Sequence, residues 1–152
     1  MTKVVITAAG KGTRLLPFTK EMPKEMMPIF SKAFTKKRVV LPLLQYIYEQ
    51  LYSINFRDYC FVVGREKRSI EDHFDHSFEL ESQLKGTAKE HYLDEIRNVI
   101  DKSTFTYIRQ QKMLGLGHAI LTGEPLIGDE PFGVILADDL IDCSGPSVLS
   151  QM

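Results

Sequence analysis

Two short runs near the start of the chain carry the residue types of a phosphate cradle: Gly10-Lys11-Gly12-Thr13-Arg14, and Pro23-Lys24-Glu25-Met26-Met27-Pro28. Glycine lets a ligand approach the backbone and permits a turn whose successive N–H groups point outward. Arg14 adds a forked guanidinium that matches phosphate oxygens, and Lys24 adds a point charge. Taken alone, the glycines fit a plain strand-to-loop turn with solvated basic residues equally well. Spacing excludes two phosphate motifs. A Walker loop needs four residues between its first glycine and a Gly-Lys-Ser/Thr ending, which this run lacks. A dinucleotide fingerprint needs a third glycine where this chain has Leu15. Two further segments offer chemistry: Gln110 followed by Gly115-Leu116-Gly117-His118-Ala119, and the carboxylates Asp138 and Asp139.

The elements that must position these groups follow from periodicity. Lys3 to Ala8 is almost uniformly apolar, as in a strand buried on both faces of a parallel sheet. Residues 22–30 carry two prolines and read as irregular. The basic run from Ser31 to Val40 reads as a surface loop. Leu44, Ile47, Tyr48 and Leu51 recur at helical spacing, with Asn55 as the stop. Residues 59–63 form a second buried strand ended by Gly64. Ser69 is placed to cap a helix, and two short helices with solvated carboxylates follow, with His73 and His76 at a solvated end. Gly86 closes the second of these, Thr87 to Glu90 is a capping box, and Tyr92, Leu93, Ile96 and Ile100 make one apolar face. Thr104 to Arg109 alternates as a strand. A helix after Gly115 is stopped by Pro125. The strand 132–137, expected to be fixed on both faces, delivers Asp138. This alternation predicts an α/β fold, a Rossmann-like, doubly wound, mostly parallel sheet with helices on both faces. Ligands bind such sheets beyond the carboxyl ends of the strands, where all three chemical segments lie.

Taken together, G-x-G-T-R followed by P-K-E-M-x-P resembles the signature of the sugar nucleotidyltransferases. The phrases Ile70-Glu71-Asp72-His73-Phe74-Asp75 and Ser77-Phe78-Glu79-Leu80-Glu81 are similar to the bacterial and archaeal UTP–glucose-1-phosphate uridylyltransferases. The resemblance runs along nearly all of residues 1–152, broken mainly by the basic run 31–40. It implies transfer of a uridylyl group from UTP to glucose 1-phosphate with magnesium as cofactor. In that setting Gly10, Gly12, Thr13 and Arg14 would hold the β- and γ-phosphates, and Arg14 would stabilise departing pyrophosphate. Lys24 would bridge the α-phosphate and the incoming sugar phosphate. The family pattern implies that Gln110 and Gly115 read the pyrimidine edge, since an amide can donate and accept at once. The backbone of Ala8, Ala9 and Gly10 would close the base pocket. Asp138 would be the metal ligand, with Asp139 as its neighbouring alternative; on its own, Asp138 reads equally as a capping residue. Family members continue well past this point into the sugar pocket, so residues 1–152 are expected to be the nucleotide-binding, amino-terminal portion, with little or no turnover. Two alternatives stand beside this: a glucose-1-phosphate thymidylyltransferase, because glutamine reads thymine as well, and a nucleotide-binding module without turnover.

Composition narrows the class without choosing the reaction. Hydrophobic residues make up 43% and charged residues 26%, as in ordinary soluble domains, and 152 residues suffice for one core. A net charge of −1 provides no global field for nucleic acid or an anionic membrane. No apolar run reaches membrane-span length. Cys60 and Cys143 lack metal-ligand spacing and suit reduced thiols of a cytoplasmic protein. A homo-oligomer is left open.

Overall fold

The computed structural model describes residues 3–32, 38–141, 146 and 148–151. In chain order it contains β1 (Lys3–Ala8), β2 (Pro28–Ser31), β3 (Val39–Pro42), α1 (Leu43–Ser53), β4 (Asp58–Val63), α2 (Arg68–His73), α3 (Phe78–Leu84), α4 (His91–Ile100), β5 (Thr104–Arg109), α5 (Leu116–Thr122), α6 (Glu124–Ile127) and β6 (Phe132–Leu136). Four of the strands form one parallel sheet in the order β5-β4-β1-β6. β1 is flanked by β4 and β6, with Val5 opposite Cys60 on one side and Val134 on the other. That central place explains why Val4, Val5 and Ile6 can all be apolar, since each is fully buried.

Strand alternation divides the core into two layers. Val4, Ile6, Tyr59, Phe61 and Val63 pack on the side of α1 and α2 with Leu44, Tyr48, Ile70 and Phe74. Val5, Cys60 and Val62 pack on the opposite side with Ala119 of α5 and Ile127 of α6. The first layer is aromatic, with Phe61 stacked 5.4 Å from both Phe74 and Tyr107. Helix α1 ends as its sequence predicts: Asn55 takes the left-handed conformation at φ 73°, and its N–H returns to the carbonyl of Tyr52. Gly86 also takes a left-handed conformation after α3, at φ +77°.

Several expectations change. Residues 22–30 are not irregular: Lys24–Met26 is a 3-10 turn leading into β2, which pairs antiparallel with β3. The flanks of the basic run therefore belong to a hairpin, and residues 33–37 lie outside the described residues, as does Cys143. Pairing of residues eight to fourteen apart overrides the turn signal of Pro28, which opens β2 opposite Pro42 at the end of β3. Ser69 lies inside α2, whose cap is Lys67 without a side-chain hydrogen bond. His73 is not solvated; its Nε2 meets Oε1 of Gln45 at 2.9 Å, and burial lowers its pKa. Glu81 is not merely solvated either, because it pairs with Arg97 at 3.1 Å. Glu90 reaches back to the N–H of Gly86, one residue before the capping-box position. Tyr92 is exposed, leaving the apolar face of α4 to Leu93, Ile96 and Ile100. Finally, β6 pairs only with β1 among the described residues, and Val134 is 38% exposed, so that strand is held on one edge and not enclosed.

Candidate active site

Because the four strands are parallel, the loop after β1, the segment after β5 and Asp138 after β6 emerge at one edge. Gly12 makes the first turn at φ +64°, a conformation that favours glycine, and Thr19 closes it by donating from Oγ1 to the Gly12 carbonyl at 2.6 Å. Gly64, at the end of β4, is required for a different reason. A Cβ there would stand 2.7 Å from the carbonyl oxygen of Ala9, so the β1 loop rests directly on the β4 loop. Lys11, Thr13 and Arg14 are exposed on that loop, and Arg14 has no ion pair among the described residues.

A cleft of about 650 Å³ opens beside this loop. Ala9, Gly10 and Lys11 line it together with residues 19–23, residues 65–67, and Gln110, Gln111 and Met113. Its lining carries the basic side chains Lys11, Lys20 and Arg65 against the acidic Glu21 and Glu66, with the charge of the lining Lys67 balanced by Glu25, a small positive excess that favours an anion. Next to it, Lys24 Nζ contacts Asp138 Oδ2 at 2.5 Å, with the carboxylate about a third exposed. The Lys24 ammonium also lies against Gly10, 3.6 Å from where a Cβ would stand, which is ordinary contact distance. One residue further on, Glu25 is fully buried and its Oε2 meets Lys67 Nζ at 2.8 Å. The other oxygen of Glu25 has no hydrogen-bond partner among the described residues.

Gln110 is buried at the cleft wall, its backbone N–H bonded to the carbonyl of Val63. Its side-chain Nε2 lies 3.2 Å from the carbonyl oxygen of Gly115 and 3.0 Å from Nδ1 of His118. Gly115 presents that carbonyl from φ +92°, again a glycine conformation. The amide nitrogen thus has two partners inside the protein.

Of the sequence-predicted residues, Ala9, Gly10 and Gln110 share the cleft, while Lys24 and Asp138 meet beside Gly10. Gly115 reaches the cleft through Gln110. Thr13 and Arg14 stand on the turn outside the lining, and the Ala8 side chain belongs to the core. Thr19, Gly64, Arg65, Lys67 and His118 were not singled out from sequence. His118 and Glu25 lie inside quoted motifs, whereas nothing local marks Thr19 or Lys67, whose partners are fixed only by folding. Among the described residues no three His, Cys, Asp or Glu side chains cluster as a metal site. Asp138 is one hard oxygen ligand, which suits magnesium as a partial site completed by phosphate oxygens and water. Burial pushes the Cys60 thiol up to about 11, which makes it a poor nucleophile or ligand.

Comparison with known proteins bears on the family and the fold. A UTP–glucose-1-phosphate uridylyltransferase of Pseudomonas aeruginosa is 54% identical over 151 residues, which is 99% of this chain and 51% of the relative. The crystal structure of an apo UDP-glucose pyrophosphorylase superposes with a TM-score of 0.84 at 53% identity, over 99% of this chain and 52% of that one. A UDP-glucose pyrophosphorylase complexed with UDP-glucose gives 0.79 at 50% identity, over 99% and 51%. The chain thus spans about half the length of the curated relatives it matches. The Nucleotidyl transferase family model matches residues 3–147, nearly the whole chain, and the protein belongs to that family.

Proposed function

We propose that the protein contributes the nucleotide site for transfer of a uridylyl group from UTP to glucose 1-phosphate, giving UDP-glucose and pyrophosphate. The observation that carries this is the sharing of Gly10 between a basic cleft and the Lys24–Asp138 pair. The names of the relatives supply the substrate class.

In the reaction, a phosphate oxygen of the sugar phosphate attacks the α-phosphorus in line, and the bond to the bridging oxygen of the β-phosphate breaks. The Gly10 and Gly12 backbone, Thr13 and Arg14 hold the β- and γ-phosphates and take up the charge of the leaving pyrophosphate. Lys24, against Gly10, holds the α-phosphate beside the incoming phosphate and so supplies the alignment that in-line transfer needs. Gln110 and Gly115, with Ala9, orient the base. Magnesium held by Asp138 and the phosphates would supply further charge neutralisation at the α-phosphate. No helix among the described residues is long and apolar enough to cross a membrane, and a buried free Cys60 suits a cytoplasmic home.

Isothermal calorimetry tests this reading. Arg14→Ala and Lys24→Ala should each weaken UTP binding by about 10- to 100-fold, the value of a charge-assisted contact of ~1.5–3 kcal/mol. Magnesium should tighten UTP binding, Asp138→Asn should largely abolish that gain, and Asp139→Asn should leave it. Unchanged UTP affinity in both cation variants, or equal magnesium gain in Asp138→Asn and wild type, refutes the assignment.

A further inference from the structure

The contacts of Gln110 define which of its atoms is left for a ligand. The atom 3.2 Å from the Gly115 carbonyl oxygen must be the NH2 nitrogen, because two carbonyl oxygens cannot bond each other. The second hydrogen on that nitrogen then points to His118 Nδ1 at 3.0 Å, which must accept, so the imidazole carries its proton on Nε2. Both N–H groups are thereby used. Among the described residues no protein donor meets Oε1, and Gln110 lines the cleft.

We infer that His118 is a positioning residue for base choice: by accepting the second N–H of Gln110, it locks the amide so that only a carbonyl oxygen faces the base. This rests on the reading that Gln110 lies in the base pocket. A lone acceptor opposite ring position 3 suits uracil, whose N3 carries a hydrogen, and repels cytosine, whose N3 is itself an acceptor. Thymine has the same N3–H and is not rejected by this device. Without His118 one N–H of the amide is free to turn towards the base, and a full flip that shows the NH2 group to cytosine breaks one internal bond, to Gly115, where the wild type breaks two. The seven-residue helix α5 makes this lock local, because Gly115 and His118 stand at its start and on its first turn.

The test is calorimetric affinity of the intact protein for UTP, CTP and dTTP. His118→Leu and, as a smaller change, His118→Ala should lower the UTP:CTP affinity ratio about tenfold or more, within the range of one well-placed hydrogen-bond pair. The dTTP:UTP ratio should stay as in wild type. His118→Asn, whose Oδ1 can stand in for Nδ1, should restore most of the UTP:CTP ratio. If both apolar variants keep the wild-type ratio while Gln110→Ala loses it, the His118 inference is overturned and the base pocket stands. If Gln110→Ala also keeps the ratio, the pocket reading falls and the His118 inference falls with it.

Discussion

The buried pair Lys67–Glu25 is the interaction whose removal should be felt most. Its side chains are 8% and 0% exposed at an N–O distance of 2.8 Å, and it ties the Lys24–Met26 turn to the loop after β4. Lys67→Met keeps much of the side-chain length but leaves the Glu25 carboxylate buried without its cation. Stranding one member of a buried pair costs about 3–5 kcal/mol. Nothing nearby takes over, since the second Glu25 oxygen already lacks a partner among the described residues. For a domain of this size each kcal/mol moves Tm by roughly 2–4 °C, so Lys67→Met should melt roughly 6–20 °C lower. Glu25→Met should be destabilised by the stranded ammonium. The double variant Glu25→Met/Lys67→Met should recover most of the loss, because removing both charges also removes their desolvation cost. Urea unfolding at pH 7 with a double-mutant cycle measures all three. A loss below about 1 kcal/mol for Lys67→Met, the value of an exposed pair, would refute the reasoning. So would a double variant as unstable as the sum of the singles.

Gly64→Ala should cost ~1–3 kcal/mol, because its Cβ must push the Ala9 carbonyl from 2.7 Å, whereas Gly117→Ala meets nothing within 4 Å inside a helix and should be neutral or stabilising; thermal melts that rank the two the other way refute the packing account. His73, which ends α2, and His76, between α2 and α3, should titrate oppositely. His73 has its pKa lowered by burial, so its stability is whole above the unfolded value of about 6.5 and falls away as pH drops below it. His76 has its pKa raised by hydrogen bonds to Glu81 and then Asp101, so its contribution is whole below about 6.5 and is lost as pH rises through the higher folded value. Melts between pH 5 and 8 on His73→Asn and His76→Gln should each flatten only their own side of pH 6.5, and a change on the opposite side would reverse the assignment.

The parallel sheet was legible because its strands are continuous apolar runs and its helices show a single buried stripe. Val4 to Ile6 and Leu44 to Leu51 state their burial in their own composition. The β2–β3 hairpin was not legible, since Phe30 opposite Val40 is a pairing across a charged run that local propensity reads as a loop. The site divides in the same way. Glycine loops and the aspartate after β6 are visible because chemistry restricts which residues serve there. Thr19 on Gly12, Lys67 on Glu25 and His118 on Gln110 are contacts between segments, and their residue types are common enough to be silent in a sequence. The burial of His73 was missed for that reason too, because Gln45, its partner, is 28 residues away.

The run Pro23-Lys24-Glu25-Met26 shows how one short turn serves two purposes. A 3-10 turn has about three residues per revolution, so consecutive side chains point in widely different directions. Glu25 goes inward to Lys67 and Met26 packs against the main core, while Lys24 goes outward to Asp138 and Gly10. The inward pair is buried and costly to disturb, which holds the backbone of the turn. The outward pair is partly exposed and worth only ~0–1 kcal/mol, so on the proposed reading an arriving phosphate can draw Lys24 from Asp138 at little cost. The carboxylate released in that exchange is then free for a cation brought with the phosphates. A lysine on a mobile loop would lose side-chain and backbone entropy at the same step. Here the backbone part has already been spent in folding, and only the ammonium has to change partners.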